Sequence, residues 1–135
     1  MSLNVAKRFN SGKPRLFFNS LGREAQIAEA AVWQGGAEKY AERDKEGNIT
    51  QLSVGGWIKG TSWTEAADSV RRHLDAFLSG EEIDPESGQP HAAHLVTSSK
   101  ILLQSFLTRK DLDDRGIDKS ATPTEEPKYL CRTIP

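Results

Sequence analysis

The sequence predicts an all-α domain, a helical bundle of three to four main helices. Residues 63–80 and 91–108 repeat apolar side chains three and four positions apart, which is the period of an α-helix. An alanine-rich segment after residue 20 has the same period. Because three helices leave apolar faces uncovered, notably over residues 95–107, we expect completion by oligomerisation as a homodimer or homotetramer.

The composition excludes several classes of protein. The 135 residues suit one domain, and a net charge of -1 argues against binding to polymeric nucleic acid. No apolar run approaches the roughly 18 residues of a membrane span, and the first residues contain no apolar signal-peptide core. The lone Cys131 fits a reducing, cytoplasmic compartment. We expect a catalytic domain over residues 1–110 and an extended C-terminal tail over residues 111–135.

The first predicted helix follows a polar N-terminal arm. Asn19 or Ser20 is a plausible cap, and the helix is expected to continue to Gln34. Gly35–Gly36 is expected to interrupt it, with a second short helix or turn to follow. Glu29 is interpreted as part of a solvated face rather than as a ligand.

A glycine-rich segment with β-branched residues, 44–62, breaks the helical pattern and predicts a long loop or a small hairpin. Its Trp57 is by default a plug of the core or a lid, with base stacking as the alternative. The next helix has a plausible cap in Ser62, with Glu65 at the capping-box position, and Gly80 ends it. His73 falls on its apolar side, which favours a core histidine.

Two pairs of polar side chains carry the chemistry. Glu65 and Asp68 are three positions apart and share a helix face, and so do His91 and His94 on the following helix. Paired carboxylates suit Mg²⁺, while histidine shifts the preference toward Mn²⁺, Co²⁺ or Zn²⁺. A bound cation can bridge phosphate oxygens and activate water. The register of the two helices stays open at this point.

Five short stretches occur in the order of a known family. They are GKPRL (residues 12–16), GAEKY (36–40), WIKG (57–60), RRHL (71–74) and SGEEIDPESGQPHAAH (79–94). From about residue 7 to residue 107 the chain resembles the dATP/dGTP diphosphohydrolases of phages and bacteria, relatives of the MazG-like all-α NTP pyrophosphohydrolases. The resemblance implies a MazG-like bundle. It also implies metal-dependent cleavage of a deoxynucleoside triphosphate to the monophosphate and pyrophosphate.

The resemblance also implies roles for residues of this chain. The predicted catalytic residues are Glu65, Asp68, Asp84 and Glu86, and the predicted metal ligands are Glu65, Asp68, His91 and His94. The metal is expected to be Mg²⁺ or Mn²⁺, with Co²⁺ possible. The predicted phosphate-binding residues are Lys13, Arg15, Lys39, Lys59 and Arg72; Tyr40 and Trp57 are predicted to flank the base, and His73 to support a ligand. Histidines stand here where the wider superfamily has the carboxylates of ExxD.

Because histidines replace these carboxylates, a second, non-enzymatic hypothesis stays open. The chain could be a non-catalytic phage module that binds nucleotide or protein through a degenerate site. A histidine-based phosphohydrolase of the HD type is disfavoured, because the sequence has no adjacent His-Asp pair.

Overall fold

The computed structural model describes residues 22–56, 60–118 and 120. Its helices are α1 (Arg23–Lys39), α2 (Trp63–Leu78), α3 (His91–Thr108) and a short 3₁₀ helix (Lys110–Leu112). Strands β1 (Glu42–Arg43) and β2 (Ile49–Gln51) pair antiparallel between α1 and α2. This mainly helical architecture confirms the all-α prediction. Within the described ranges, no helix is long and apolar enough to span a membrane.

Helix α1 differs from its prediction at both ends. It begins after Gly22, which provides no side-chain cap, and the predicted caps Asn19 and Ser20 lie outside the described residues. It also runs straight through Gly35–Gly36 to Lys39, so the predicted interruption is wrong. A glycine inside a helix costs only about 1 kcal/mol relative to alanine, a cost that packing against α3 can offset.

Replacing Gly35 with alanine is therefore expected to stabilise the protein by about 0.5–1 kcal/mol. A Cβ at Gly35 would have no neighbouring atom within 4 Å, so the gain in helix propensity meets no steric cost. Urea unfolding followed by circular dichroism measures the change. Gly60→Ala is the matched contrast, because Gly60 has φ +104° and its Cβ would lie 2.6 Å from Leu112 Cδ1. A loss of stability in Gly35→Ala as large as that in Gly60→Ala would contradict the expectation.

The segment after α1 adopts the hairpin alternative. The side chain of Asp44 accepts hydrogen bonds from the N–H groups of Glu46 (3.0 Å) and Asn48 (2.8 Å), which closes the turn between β1 and β2. Gly47 has φ +86°, a conformation that glycine adopts without strain. The predicted base-stacking Trp57 and phosphate-binding Lys59 lie outside the described residues.

Helix α2 has the predicted caps at both ends, and the carboxylate of its Glu65 has Thr61 as a partner. Ser62 Oγ accepts the N–H of Glu65 at 3.3 Å, as a capping residue should. The Glu65 carboxylate accepts the hydroxyl of Thr61 at 2.8 Å. At the other end Gly80 has φ +99°, and the N–H of Glu81 donates to the carbonyl of Ala76 at 3.0 Å. This Schellman motif ends α2 and fixes the backbone at residue 81.

Helices α2 and α3 pack antiparallel. Trp63, at the start of α2, contacts Phe106 near the end of α3, with ring centroids 5.6 Å apart. Further along, the hydroxyl oxygens of Ser69 and Ser98 are 2.9 Å apart. The far end of α2 therefore meets the start of α3, where His91 and His94 lie.

Helix α1 packs against α3 partly through Glu29. The Glu29 carboxylate forms an ion pair with Lys100 and accepts the indole N–H of Trp33 at 3.2 Å. The hydrogen bond from Lys100 is the main cause that lowers the pKa of Glu29. The solvated-face interpretation of Glu29 is therefore wrong, because periodicity does not reveal a charged partner on another helix.

Residues beyond α3 return to the start of α2. The Asp114 carboxylate accepts the N–H of Thr64 at 3.0 Å, and the guanidinium of Arg115 lies 4.9 Å from the Trp63 ring centroid. These residues belong to the compact unit Leu21–Gly116. The domain boundary at residue 110 stays a prediction.

Candidate functional site

The segment between α2 and α3, residues 81–90, is here called the acidic loop. Its two ends are held side by side, because Ile83 bridges Pro90 and the N–H of His91 donates to the carbonyl of Glu82 at 2.9 Å. The N–H of Asp84 donates to the carbonyl of Gln89 at 2.9 Å. The acidic loop is thus a closed, hydrogen-bonded turn that presents its carboxylates next to α3.

Three imidazoles converge beneath this loop, and we call His73, His91 and His94 the histidine cluster. Nδ1 of His73 lies 2.9 Å from Nδ1 of His91. The rings of His73 and His94 stack in parallel, with centroids 4.4 Å apart and an interplanar angle of 7°. The antiparallel packing of α2 on α3 creates this cluster, and His73 is a full member of it.

The acidic loop binds two of these imidazoles. Glu81 Oε1 lies 2.7 Å from His91 Nε2. Ser87 Oγ lies 2.6 Å from His94 Nε2 and donates its proton to Asp84 Oδ2 at 3.0 Å. The same Asp84 oxygen lies 3.3 Å from His94 Nε2. The carboxylates of Glu81 and Asp84 therefore orient the rings of His91 and His94, and the ring of His91 is buried.

The surroundings keep two of the imidazoles neutral. Burial is the main cause that lowers the pKa of His73, and the neighbouring His94 and His91 lower it further. Burial likewise lowers the pKa of His94, against the opposing effect of the Asp84 carboxylate. Burial raises the pKa of Asp84, but the N–H of Glu86 and the Ser87 hydroxyl outweigh it, so the net direction is downward. The result is an ionised aspartate beside neutral imidazoles.

These directions predict acid sensitivity. His73 and His94 bind protons less readily in the folded chain than in the unfolded one, whose ordinary pKa is 6.5. The unfolded state therefore gains protons first, and stability is expected to fall as the pH drops below about 6.5. Thermal denaturation between about pH 8 and pH 5 measures this fall. His73→Gln should show a shallower fall, whereas a melting temperature that is constant or rises on acidification would contradict the prediction.

A cation and an aromatic ring from the end of α1 reach the same region. Lys39 Nζ lies 2.6 Å from Glu86 Oε1 of the acidic loop and 5.7 Å from the centroid of the Tyr40 ring. The hydrogen bond that Lys39 donates to Glu86 is the main cause that raises the pKa of Lys39. Tyr40 is 71% exposed, so its face is available to a ligand. The predicted phosphate-binding Lys39 is thereby brought next to Glu86, and the predicted base-binding Tyr40 neighbours Lys39.

Other predicted site residues lie elsewhere. Glu65 and Asp68 are exposed, and they precede His73 by eight and five residues, which is about 12 Å and 8 Å along the axis of α2. Five residues also turn the helix by about 140°, so Asp68 faces away from the histidine cluster. Arg72 is exposed beside His73. The predicted residues Lys13, Arg15, Trp57 and Lys59 lie outside the described residues.

The four predicted metal ligands do not form one cage within a chain. Both ring nitrogens of His91 are already engaged, by Glu81 and by His73. Glu65 and Asp68 lie apart from His91 and His94 along α2. In the described part of the chain, no three His, Cys, Asp or Glu side chains are arranged to hold a metal ion together. We therefore derive no chemical step through a metal at this quartet.

Two residues of the site were not assigned roles from the sequence. Glu81 precedes its imidazole partner His91 by ten residues, and Ser87 precedes His94 by seven. Neither spacing is a recognised ligand pattern, because the closed acidic loop determines both contacts. The one indication in the sequence is the composition of the loop, which has many polar side chains shortly before two histidines.

Comparison with known protein families gives a match over most of the chain. A family model described as dATP/dGTP diphosphohydrolase, N-terminal, matches residues 4–115. The match covers α1, the hairpin, α2, the acidic loop and α3. Searches of curated proteins and of solved structures return no match.

Proposed function

The chain belongs to the dATP/dGTP diphosphohydrolase N-terminal family, and we propose that it hydrolyses a purine deoxynucleoside triphosphate to the monophosphate and pyrophosphate. The family membership and the mainly helical, MazG-like fold support a hydrolase. The lone Cys131 fits a reducing compartment, so we place the reaction in the cytoplasm.

One observation carries the assignment of the site. Lys39 at the end of α1 pairs with Glu86 of the acidic loop, whose Asp84 and Ser87 contact His94, and the exposed Tyr40 ring neighbours Lys39. The Lys39–Glu86 ion pair is exposed, and such pairs contribute little net stability. A phosphate oxygen can therefore replace Glu86 as the partner of Lys39, while the Tyr40 ring offers a face for the base.

The proposed chemistry uses an imidazole that is neutral near pH 7. The pKa of His94 is lowered, so the ring can accept a proton from an attacking water. The Ser87 hydroxyl donates to Asp84 and so accepts from His94 Nε2–H, which leaves Nδ1 of His94 as the accepting atom. Water then adds to the α-phosphorus and transfers a proton to Nδ1 of His94, the bond from the α-phosphorus to the bridging oxygen breaks, and pyrophosphate leaves. Lys39 would neutralise charge that develops on the phosphates.

We also propose a requirement for Mg²⁺ or Mn²⁺, with Co²⁺ as a further option. Family membership supports this requirement. Mg²⁺ is commonly held by one or two carboxylates together with substrate phosphates, so a complete protein cage is not needed. A bound cation would offset negative charge on the phosphates and make water easier to deprotonate. The exposed pair Glu65 and Asp68 and the acidic loop are the candidate sources of its carboxylate ligands.

The test is product analysis with a panel of four deoxynucleoside triphosphates. We expect monophosphate and pyrophosphate in equal amounts, faster for dATP and dGTP than for dCTP and dTTP, and no reaction with chelator. Release of inorganic phosphate would contradict cleavage between the α and β phosphates. Activity that survives the chelator would contradict the metal requirement alone.

The alternative is a non-catalytic nucleotide- or protein-binding module. The observation that favours it is the separation of Glu65 and Asp68 from the histidine cluster. Calorimetric binding of dATP or dGTP with no product, in Mg²⁺ and in Mn²⁺, would support this alternative and overturn the proposed hydrolysis.

We propose that two or more copies of the chain associate through α3. Among the described residues, the buried apolar side chains are only Trp63, Ala66 and Ala93. Two apolar grooves, of about 390 Å³ and about 290 Å³, run along α3 and share Leu103 as a wall. Leu103 itself is 58% exposed. Burial of this face against another copy removes apolar surface from water, which favours a homodimer or homotetramer.

Leu103→Glu is expected to shift the protein toward monomer, because the change places a charge in the proposed interface. Light scattering after size-exclusion chromatography measures the molar mass. Ile27→Glu is the matched control, since Ile27 on α1 is also 58% exposed. A wild-type protein that is already monomeric, or an unchanged mass in Leu103→Glu, would contradict association through this face.

A further inference from the structure

The carboxylate of Glu81 stands at one end of a chain of two hydrogen-bonded imidazoles. Glu81 Oε1 lies 2.7 Å from Nε2 of His91, and Nδ1 of His91 lies 2.9 Å from Nδ1 of His73. His91 is only 4% exposed, so water competes little for its ring nitrogens. Whether each ring nitrogen of His91 carries a proton therefore depends on its partner in the protein.

The backbone places Glu81 for this contact. Its N–H donates to the carbonyl of Ala76 at 3.0 Å, in the Schellman motif that ends α2. On the other side, the N–H of His91 donates to the carbonyl of Glu82 at 2.9 Å. Main-chain hydrogen bonds thus hold the backbone of both Glu81 and His91, so the two side chains are already close enough to form their contact.

Counting donors and acceptors then fixes two protons. An ionised carboxylate only accepts, so Nε2 of His91 carries the proton toward Glu81. When the two rings are neutral, each has one donor and one acceptor, so Nδ1 of His91 accepts. Nδ1 of His73 must then be the donor, and Nε2 of His73 is left as an acceptor. The reverse arrangement would set a lone pair of His91 against the Glu81 carboxylate.

We infer that Glu81 is a positioning residue that acts through His91 to hold His73 in the tautomer with a protonated Nδ1 and an accepting Nε2. His73 is the ring that stacks on His94, with centroids 4.4 Å apart. A fixed tautomer gives this pair of rings a constant pattern of donors and acceptors toward a ligand. The effect on turnover rests on the proposed function, whereas the tautomer itself does not.

Nuclear magnetic resonance of protein with ¹⁵N-labelled histidine tests the inference at about pH 8, well above the usual pKa of a free imidazole. In the wild-type chain we expect a protonated Nε2 on His91 and a protonated Nδ1 on His73. In Glu81→Ala both rings should lose the single tautomer, and their two ¹⁵N shifts should move toward each other. Glu82→Ala is the matched control, because Glu82 contacts His91 through its carbonyl oxygen, which the substitution retains.

Hydrolysis of dATP or dGTP gives the second readout. Glu81→Ala should lower kcat about tenfold with little change in KM, which is the lower end of the roughly 10- to 100-fold loss typical when the partner of a metal-bound histidine is removed. A wild-type His73 protonated on Nε2, or unchanged tautomers in Glu81→Ala, would overturn the inference whatever the activity. Correct tautomer changes in a chain without hydrolysis would instead overturn the proposed function and leave the positioning role standing.

Discussion

Replacement of His94 with alanine is expected to abolish hydrolysis of deoxynucleoside triphosphates while leaving α3 intact. His94 is the imidazole that contacts both Ser87 and Asp84, at 2.6 Å and 3.3 Å. Its lowered pKa keeps it able to accept a proton near pH 7. Removal of a general base typically costs about 10²- to 10⁴-fold in rate. Pyrophosphate release with dATP and dGTP, measured beside far-ultraviolet circular dichroism, checks both parts of the expectation.

The Asp68→Ala variant tests whether the Glu65 and Asp68 face acts on the same substrate as the histidine cluster. The sequence pairs Asp68 with Glu65 as a metal-binding face, and this exposed face lies apart from the histidine cluster. Loss of activity in both variants would mean that the two groups act on one substrate. Thr108→Ala, at the far end of α3, serves as the control that should keep full activity. If His94→Ala and Asp68→Ala both retained full hydrolysis, the assignment of the site would be wrong.

The helices could be predicted because their signals are local. The apolar residues from Trp63 to Leu78 recur three and four positions apart, and Ser62 and Gly80 mark the two ends. Such signals lie within a few residues of the structure they determine. The predicted interruption at Gly35–Gly36 was wrong because it depends on a non-local effect. Packing of α1 against α3 decides whether two glycines interrupt the helix.

The site could be predicted only in part. His91 and His94 were recognisable as a pair on one turn of a helix, and Asp84 and Glu86 as part of a polar loop. The contact between His73 and His91 depends on the register of α2 on α3, which periodicity does not specify. The resemblance to the family brought these residues together before the structure did, but it gave no role to Glu81.

Two charged contacts at the edges of the site differ in how easily a ligand can replace them. Lys39–Glu86 joins two exposed side chains and is easily exchanged for a bond to a ligand. The contact of Glu81 with His91 instead holds a buried ring, so its loss leaves a polar group unpaired. Substrate binding is therefore expected to reorganise the Lys39 side and to leave the histidine cluster in place.

Trp63→Ala is expected to lower the free energy of unfolding by about 3–5 kcal/mol, the largest effect on stability that we expect from one substitution. Trp63 is 4% exposed and packs on Phe106. Its indole N–H donates to the carbonyl of Arg109 at 3.1 Å, and the cations of Lys110 and Arg115 lie over its ring. It thus joins the start of α2 to the end of α3. Urea unfolding followed by circular dichroism measures the loss.

The Trp63→Phe variant separates packing from hydrogen bonding in this result. Phenylalanine keeps an aromatic ring against Phe106 but cannot donate to the Arg109 carbonyl, so a smaller loss of about 1–3 kcal/mol is expected. Because the contact also orders residues after α3, amide exchange at residues 109–116 should accelerate in both variants. A Trp63→Ala protein as stable as the wild type would mean that the junction of α2 and α3 does not depend on this side chain.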